Sequence, residues 1–168
     1  MTNLSRIIGR LAAIAALGAL PLCAAQAAQT TIQASAKVVK SLELSSKQNL
    51  DFGTITLSGT PGTYTVALSM AGVLTCPSGA TCAGAPTPAI LNVSGSKNQI
   101  IRITVASANL VNSVDGSALS FTPVAPQSLT LTNSGAPGND FNVGGSIDIP
   151  STADGSYSGN IQVTAEYQ

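Results

Sequence analysis

The sequence predicts an all-β sandwich, and three observations carry that prediction. Short runs alternate polar and apolar residues with period two. Clusters of Gly, Pro, Asn and Ser separate the runs at regular spacing. No window beyond residue 27 has an amphipathic helical pattern. A strand laid over a core with its back in water alternates in this way, because successive side chains point to opposite faces.

The front of the chain is read apart from the domain. Arg6 and Arg10 precede an apolar run, Leu11 to Leu22, and Ala25-Gln26-Ala27 has the small residues of a signal-peptidase site. The run is shorter than the about 20 residues a resident membrane helix needs. Cys23 does not make a lipidation site, because Leu22 stands where a small residue is required. Residues 1–27 therefore read as a signal peptide and 28–168 as a single β-sandwich domain. Export to the periplasm, the cell surface or beyond is expected.

Thr31 to Val38 alternates cleanly, with Ile32, Ala34, Ala36 and Val38 on one face. The pattern slips at Val39 and resumes with Leu42 and Leu44, which predicts a bulge or kink near Val39. One long bent strand or two would fit. Thr54 to Leu57 is a short strand, and Ser58 to Gly62 is a turn cluster. Thr63 to Met70 puts Tyr64, Val66 and Leu68 on one face. Ala71 to Pro88 is irregular and reads as a loop or a small pinned hairpin.

Ala89 to Ser94 and Gln99 to Ala106 are the next two strands, joined through Gly95-Ser96-Lys97-Asn98. Ile100 breaks the polar row of the second, which predicts burial on both faces near its start. Asn109 to Val114 reads as a short edge strand. Phe121 to Pro126, with two prolines, reads as a connection. Leu129 to Leu131 is a strand and Asn133 to Asn139 a loop. Phe141 to Ile149 is a strong strand, with Gly144-Gly145 expected to form a bulge. The tail from Tyr157 reads as one strand, with Tyr157, Ile161, Val163 and Tyr167 in its apolar row.

Cys76 and Cys82 are the two cysteines beyond the signal segment. Export makes oxidation available, and a disulfide across so small a loop contributes roughly 2 kcal/mol in the chain-entropy picture. A metal pair lacks partners, since the chain has no histidine and no third cysteine past residue 27. A redox pair would want two intervening residues, and here there are five.

Composition narrows the function classes. Charged residues make up 8% of the chain, against the roughly 25% of ordinary domains. Losing Arg6 and Arg10 leaves five basic residues against seven acidic ones, a net of −2. So weakly acidic a surface argues against nucleic acid as a partner. Ser94-Gly95-Ser96-Lys97 matches a serine-enzyme signature but stands in a turn without companion motifs. With no histidine the usual general base is missing, and Asp115 and Asp154 precede glycines, as turn residues do. No catalytic residue, cofactor or metal ligand is assigned, and the chain does not read as an enzyme.

Two resemblances add to this. Gly155 is fourteenth from the end and Tyr167 next to last, in GSYSGNIQVTAEYQ. That closing pattern resembles chaperone–usher pilus subunits. Leu50-Asp51-Phe52-Gly53, Phe141-Asn142-Val143-Gly144-Gly145 and the tail together are similar to a bacterial domain-of-unknown-function family of small exported proteins. The resemblances imply an immunoglobulin-like, pilin-like β-sandwich and an exported pilus-like or surface-fibre subunit. Such a subunit assembles by β-strand addition, in which one copy's extended arm completes another copy's sheet.

On that reading the donor strand is Ile32, Ala34, Ala36 and Val38. Gly155, Tyr157, Ile161, Val163 and Tyr167 form the strand that meets a chaperone or another subunit. The implied partners are other copies, a periplasmic chaperone and an outer-membrane usher. Thr31 to Val38 could equally pair within its own domain. The alternative function is a self-complete secreted binding module for a carbohydrate or surface partner, using the loops of Ala71 to Pro88.

Overall fold

Thirteen strands and no helix make up the residues that the computed structural model describes, 27–168. In chain order they are β1 (Glu43–Gln48), β2 (Thr54–Leu57), β3 (Thr63–Leu68), β4 (Leu74–Thr75), β5 (Ala80–Ala83), β6 (Ala89–Ser94) and β7 (Ile100–Val105). Then come β8 (Ala108–Asn112), β9 (Ala118–Val124), β10 (Ser128–Thr130), β11 (Asn139–Pro150), β12 (Tyr157–Ser158) and β13 (Val163–Tyr167). Lys37–Gln168 form one compact unit. The signal-peptide expectation lies outside the described residues, apart from Ala27.

The main sheet runs β1-β6-β11-β9-β8-β12, with β3 also on β11 and β4 on β3. Its spine is β11. Residues Asn139 to Val143 pair with β6, and Gly145 to Pro150 pair with β3. Gly144 to Asp148 pair with β9. The Gly144-Gly145 pair sits where β11 changes partners, and no bulge forms there. Both glycines are needed for close approach instead. A Cβ on Gly144 would strike the Leu68 carbonyl, and one on Gly145 would strike the Phe121 ring and the Thr122 carbonyl.

The second layer comes in two pieces. A three-stranded sheet, β10-β7-β13, covers one half of the main sheet, and the two-stranded β2-β5 covers the other. Each piece has its own core. Between β10-β7-β13 and the main sheet lie Leu91, Val93, Ile101, Ile103, Phe141 and Val143. Under β2-β5 lie Tyr64, Val66, Leu68, Phe121, Ile147 and Ile149. The alternation along β3, β7 and β11 produces these clusters directly, since every second side chain meets the facing layer. The protein is thus an all-β sandwich of the immunoglobulin-like kind.

Several expectations need correction. Thr31 to Val38 is not a strand: the first one begins at Glu43, and Ile32 and Val38 are each 90% exposed. Alternation makes a segment able to pair, but a strand exists only beside a neighbour. No strand runs through Val39, so the bulge expected there does not form; a separate register shift occurs in β1 between Ser46 and Gln48. Ile100 is 48% exposed rather than buried on both faces.

Phe121 to Pro126 is not a connection. Its first residues belong to β9, and Phe121 is fully buried. Pro123 is tolerated near the end of that strand, opposite Gly145. The region Ala71 to Pro88 is not a hairpin either, because β4 pairs with β3 and β5 with β2. The tail is two strands, not one: β12 pairs with β8 in the main sheet and β13 with β7 in the other.

Candidate functional site

The first wall of the site is built by the β1–β2 connection. The Asp51 carboxylate accepts the Gly53 N–H at 2.8 Å, and the Asp51 backbone exchanges two 2.8 Å hydrogen bonds with Thr87. This Asx turn drives Phe52 inward. Its ring meets Phe121 edge to face, with centroids 6.3 Å apart and planes at 75°. Gly53 has φ 74°, and a Cβ there would meet the Ala83 carbonyl. The chain then enters β2, where Ile55 and Leu57 pack on the core.

The opposite wall is the tail. Asn112 is buried, its amide donating to the Asp154 carbonyl and its side-chain oxygen accepting the Val114 N–H, both at 2.9 Å. Gly155, at φ 99°, lets the backbone run over that amide, where a Cβ would stand 2.6 Å from its nitrogen. Tyr157 follows in β12, sharing a 2.9 Å hydroxyl hydrogen bond with Ser117. Residues 159–162 carry the chain from the main sheet to the second layer. Ile161 packs on one core, and Val163, Ala165 and Tyr167 on the other.

Between these walls lies a groove of about 1280 Å³. Its floor is the apolar face of the main sheet, with Leu91, Leu119, Val143, Ile147 and Ile149 among its lining. The groove touches β1 at Ser46 and Gln48 and β13 at Val163. Among the described residues β13 pairs only with β7, and β1 only with β6. Val163, Ala165 and Tyr167 face the core yet are only half-buried, whereas Ile101 and Ile103 on the neighbouring β7 are buried. The difference is what a missing neighbour on the free side of β13 produces.

Tyr167, at the far end of β13, lies outside the groove lining and fastens the tail. Its hydroxyl donates to the Lys40 carbonyl at 2.7 Å and accepts the Ser96 N–H at 2.8 Å. Gly95 leaves the room, since a Cβ there would strike that hydroxyl, Leu42 and Leu131. The charged residues lining the groove are Asp51 and Asp154, with no basic residue among them. Outside it, Asp140 bonds to Asn92 and to Lys47, which hold its carboxyl below the usual carboxylate range. Among the described residues no three acidic or cysteine side chains converge to hold a metal ion.

The structure places Gly155, Tyr157, Ile161 and Val163 along one wall, while Tyr167 lies outside the groove lining. Ile32, Ala34, Ala36 and Val38 are exposed and belong to no strand. Cys76 and Cys82 form a disulfide, which fits an oxidising, exported environment. No helix among the described residues is long and apolar enough to cross a membrane.

Sequence reasoning did not assign the wall from Leu50 to Leu57 or the floor residues to a site. A signal was present, because the three family-like stretches all touch the groove. Leu50 to Gly53 lie in one wall, Val143 in the floor and Gly155 to Gly159 in the other wall.

The fold and groove define an all-β sandwich domain with a split second layer and free strand edges beside an accessible core. The chain belongs to the family described as a domain of unknown function (DUF4402), which matches residues 42–167. No curated protein and no solved structure matches the chain.

Proposed function

We propose that the protein is an exported structural subunit that assembles by β-strand addition, its groove accepting the Thr31 to Val38 segment of a second copy. The observation that carries this reading is a groove that reaches the start of β13 at Val163, with core side chains in its floor and no strand on the other edge of β13 among the described residues. A strand added there would pair with β13 through its backbone and bury every second side chain. The segment has the matching properties. Its apolar row is Ile32, Ala34, Ala36 and Val38, it belongs to no strand, and its two largest apolar side chains are almost wholly exposed.

Charge agrees as well. Lys37 and Lys40 lie in and just after the segment, whereas the groove carries only Asp51 and Asp154. The resemblance of the tail to pilus subunits points the same way, and with it a periplasmic chaperone and an outer-membrane usher as partners. Surface-fibre formation and a role in adhesion belong to this proposal.

The test removes the arm. A chain lacking Ala28 to Ala36 should stay folded and lose the ability to form polymers. Mixed with the intact chain, it should cap growing assemblies by accepting an arm without donating one. An intact protein that is a stable monomer at every concentration, together with a deletion that unfolds the domain, would refute the reading.

A further inference from the structure

We infer that the Cys76–Cys82 disulfide sets one wall of the groove, so that capture of a strand depends on the oxidised bridge. This rests on the reading of the groove as a strand acceptor. The wall strand β2 has β5 as its only strand partner among the described residues, and their ladder is separate from both larger sheets. Within it, Ile55 stands directly opposite Cys82. The disulfide is therefore one residue pair away from a side chain that lines the groove.

The other half of the bridge is anchored elsewhere. Cys76 follows β4 directly, and β4 pairs with β3 of the main sheet through Leu74 opposite Leu68. The bridge thus short-cuts the six-residue backbone path from β4 on the main sheet to β5, and the path continues by hydrogen bonds to β2. The remaining backbone ties on this wall are a 2.8 Å bond from Ser58 N–H to the Gly79 carbonyl and the pair between Asp51 and Thr87. Gly79 itself lies inside the loop the disulfide closes. A two-stranded ribbon alone is marginal in water, so its position depends on these ties and on the packing of Ile55, Leu57, Ala80 and Cys82 on the core.

The ladders of β11 with β3, β6 and β9 do not pass through this path. Opening the bridge should loosen the wall and leave the spine intact. Cys76 is exposed and Cys82 half-buried, so a reductant has access. A dithiol supplies the two electrons and two protons that turn the S–S bond into two thiols, and is itself oxidised to a disulfide.

The experiment uses a fluorescent peptide of residues 29–40 as probe. It is titrated against the full chain oxidised, the chain reduced with a dithiol, and the Cys76→Ser/Cys82→Ser variant. The oxidised chain should bind, and the other two should bind at least ten-fold more weakly. Hydrogen exchange in those two forms should accelerate at Thr56 and Ser58, whose amides face β5, with protection at Phe121 and Ile147 unchanged. Equal affinity for oxidised and reduced chains would overturn the inference and leave the acceptor reading standing. Peptide that binds no form would overturn both. Loss of protection along all of β11 on reduction would also overturn the inference, because the bridge would then be holding the whole sandwich.

Discussion

The Tyr167 hydroxyl donates a 2.7 Å hydrogen bond to the carbonyl of Lys40, 127 residues earlier in the chain. The same oxygen accepts the Ser96 N–H, so one phenol joins the end of β13, the approach to β1 and the turn between β6 and β7. Replacing Tyr167 by Phe keeps the ring and removes both bonds. A loss of about 1–2 kcal/mol is expected, since a part-buried N–H is left unpaired. Urea denaturation should give a lower midpoint with an unchanged slope.

Gly145 lies against the Phe121 ring and the Thr122 carbonyl, at the point where β9 joins β11. Gly145→Ala pushes a methyl group into buried atoms that have nowhere to go. The cost should be about 1–3 kcal/mol or more, as for other overpacked cores. Thermal unfolding followed by circular dichroism measures it. A melting temperature equal to that of the wild type would show that the ring can move aside.

Asn112 holds the loop before β12 through the Asp154 carbonyl. Asn112→Ala removes that anchor and leaves the Val114 N–H without its side-chain acceptor. A destabilisation of about 1–3 kcal/mol is expected. Amide exchange should rise first at Ser158, which pairs with Val111, while Ile101 and Ile103 remain protected. Equal loss of protection in both sheets would contradict a local role.

Asp140 on β11 reaches across β6 to Lys47 on β1, and Asn92 on β6 bonds to the same carboxylate. These partners depress its folded pKa below the ordinary 3.8. A group depressed on folding contributes stability above its unfolded value and loses it as pH falls through the folded value. The contribution should therefore be complete above about pH 5 and vanish in the acid range below 3.8. The Asp140 carboxyl resonance should titrate below 3.8, and Lys47→Ala should move its midpoint upward. A midpoint unmoved by that substitution would mean the lysine does not act on it.

Local chemistry alone made much of this molecule legible. Period-two alternation located β3, β6, β7, β11 and β13, because whether a side chain lies over a core or in water follows from its place in the run. The Cys76–Cys82 pairing was legible too, for want of any other partner for either cysteine. The apolar row of the tail faces the core as its pattern requires, with Gly159 as the exception because it passes close to the Asn109 carbonyl.

Tertiary structure decided the rest. Phe121 to Val124 is a strand despite Pro123 because β11 offers it an edge, and Thr31 to Val38 is none despite its alternation because no neighbour pairs with it. Gly144-Gly145 reads as a bulge from the chain and is a point of close packing in the fold. The groove was invisible for the same reason. Its walls and floor come from residues as far apart as Ser46 and Val163, and alternation records which face of a strand is apolar but not which strand lies beside it.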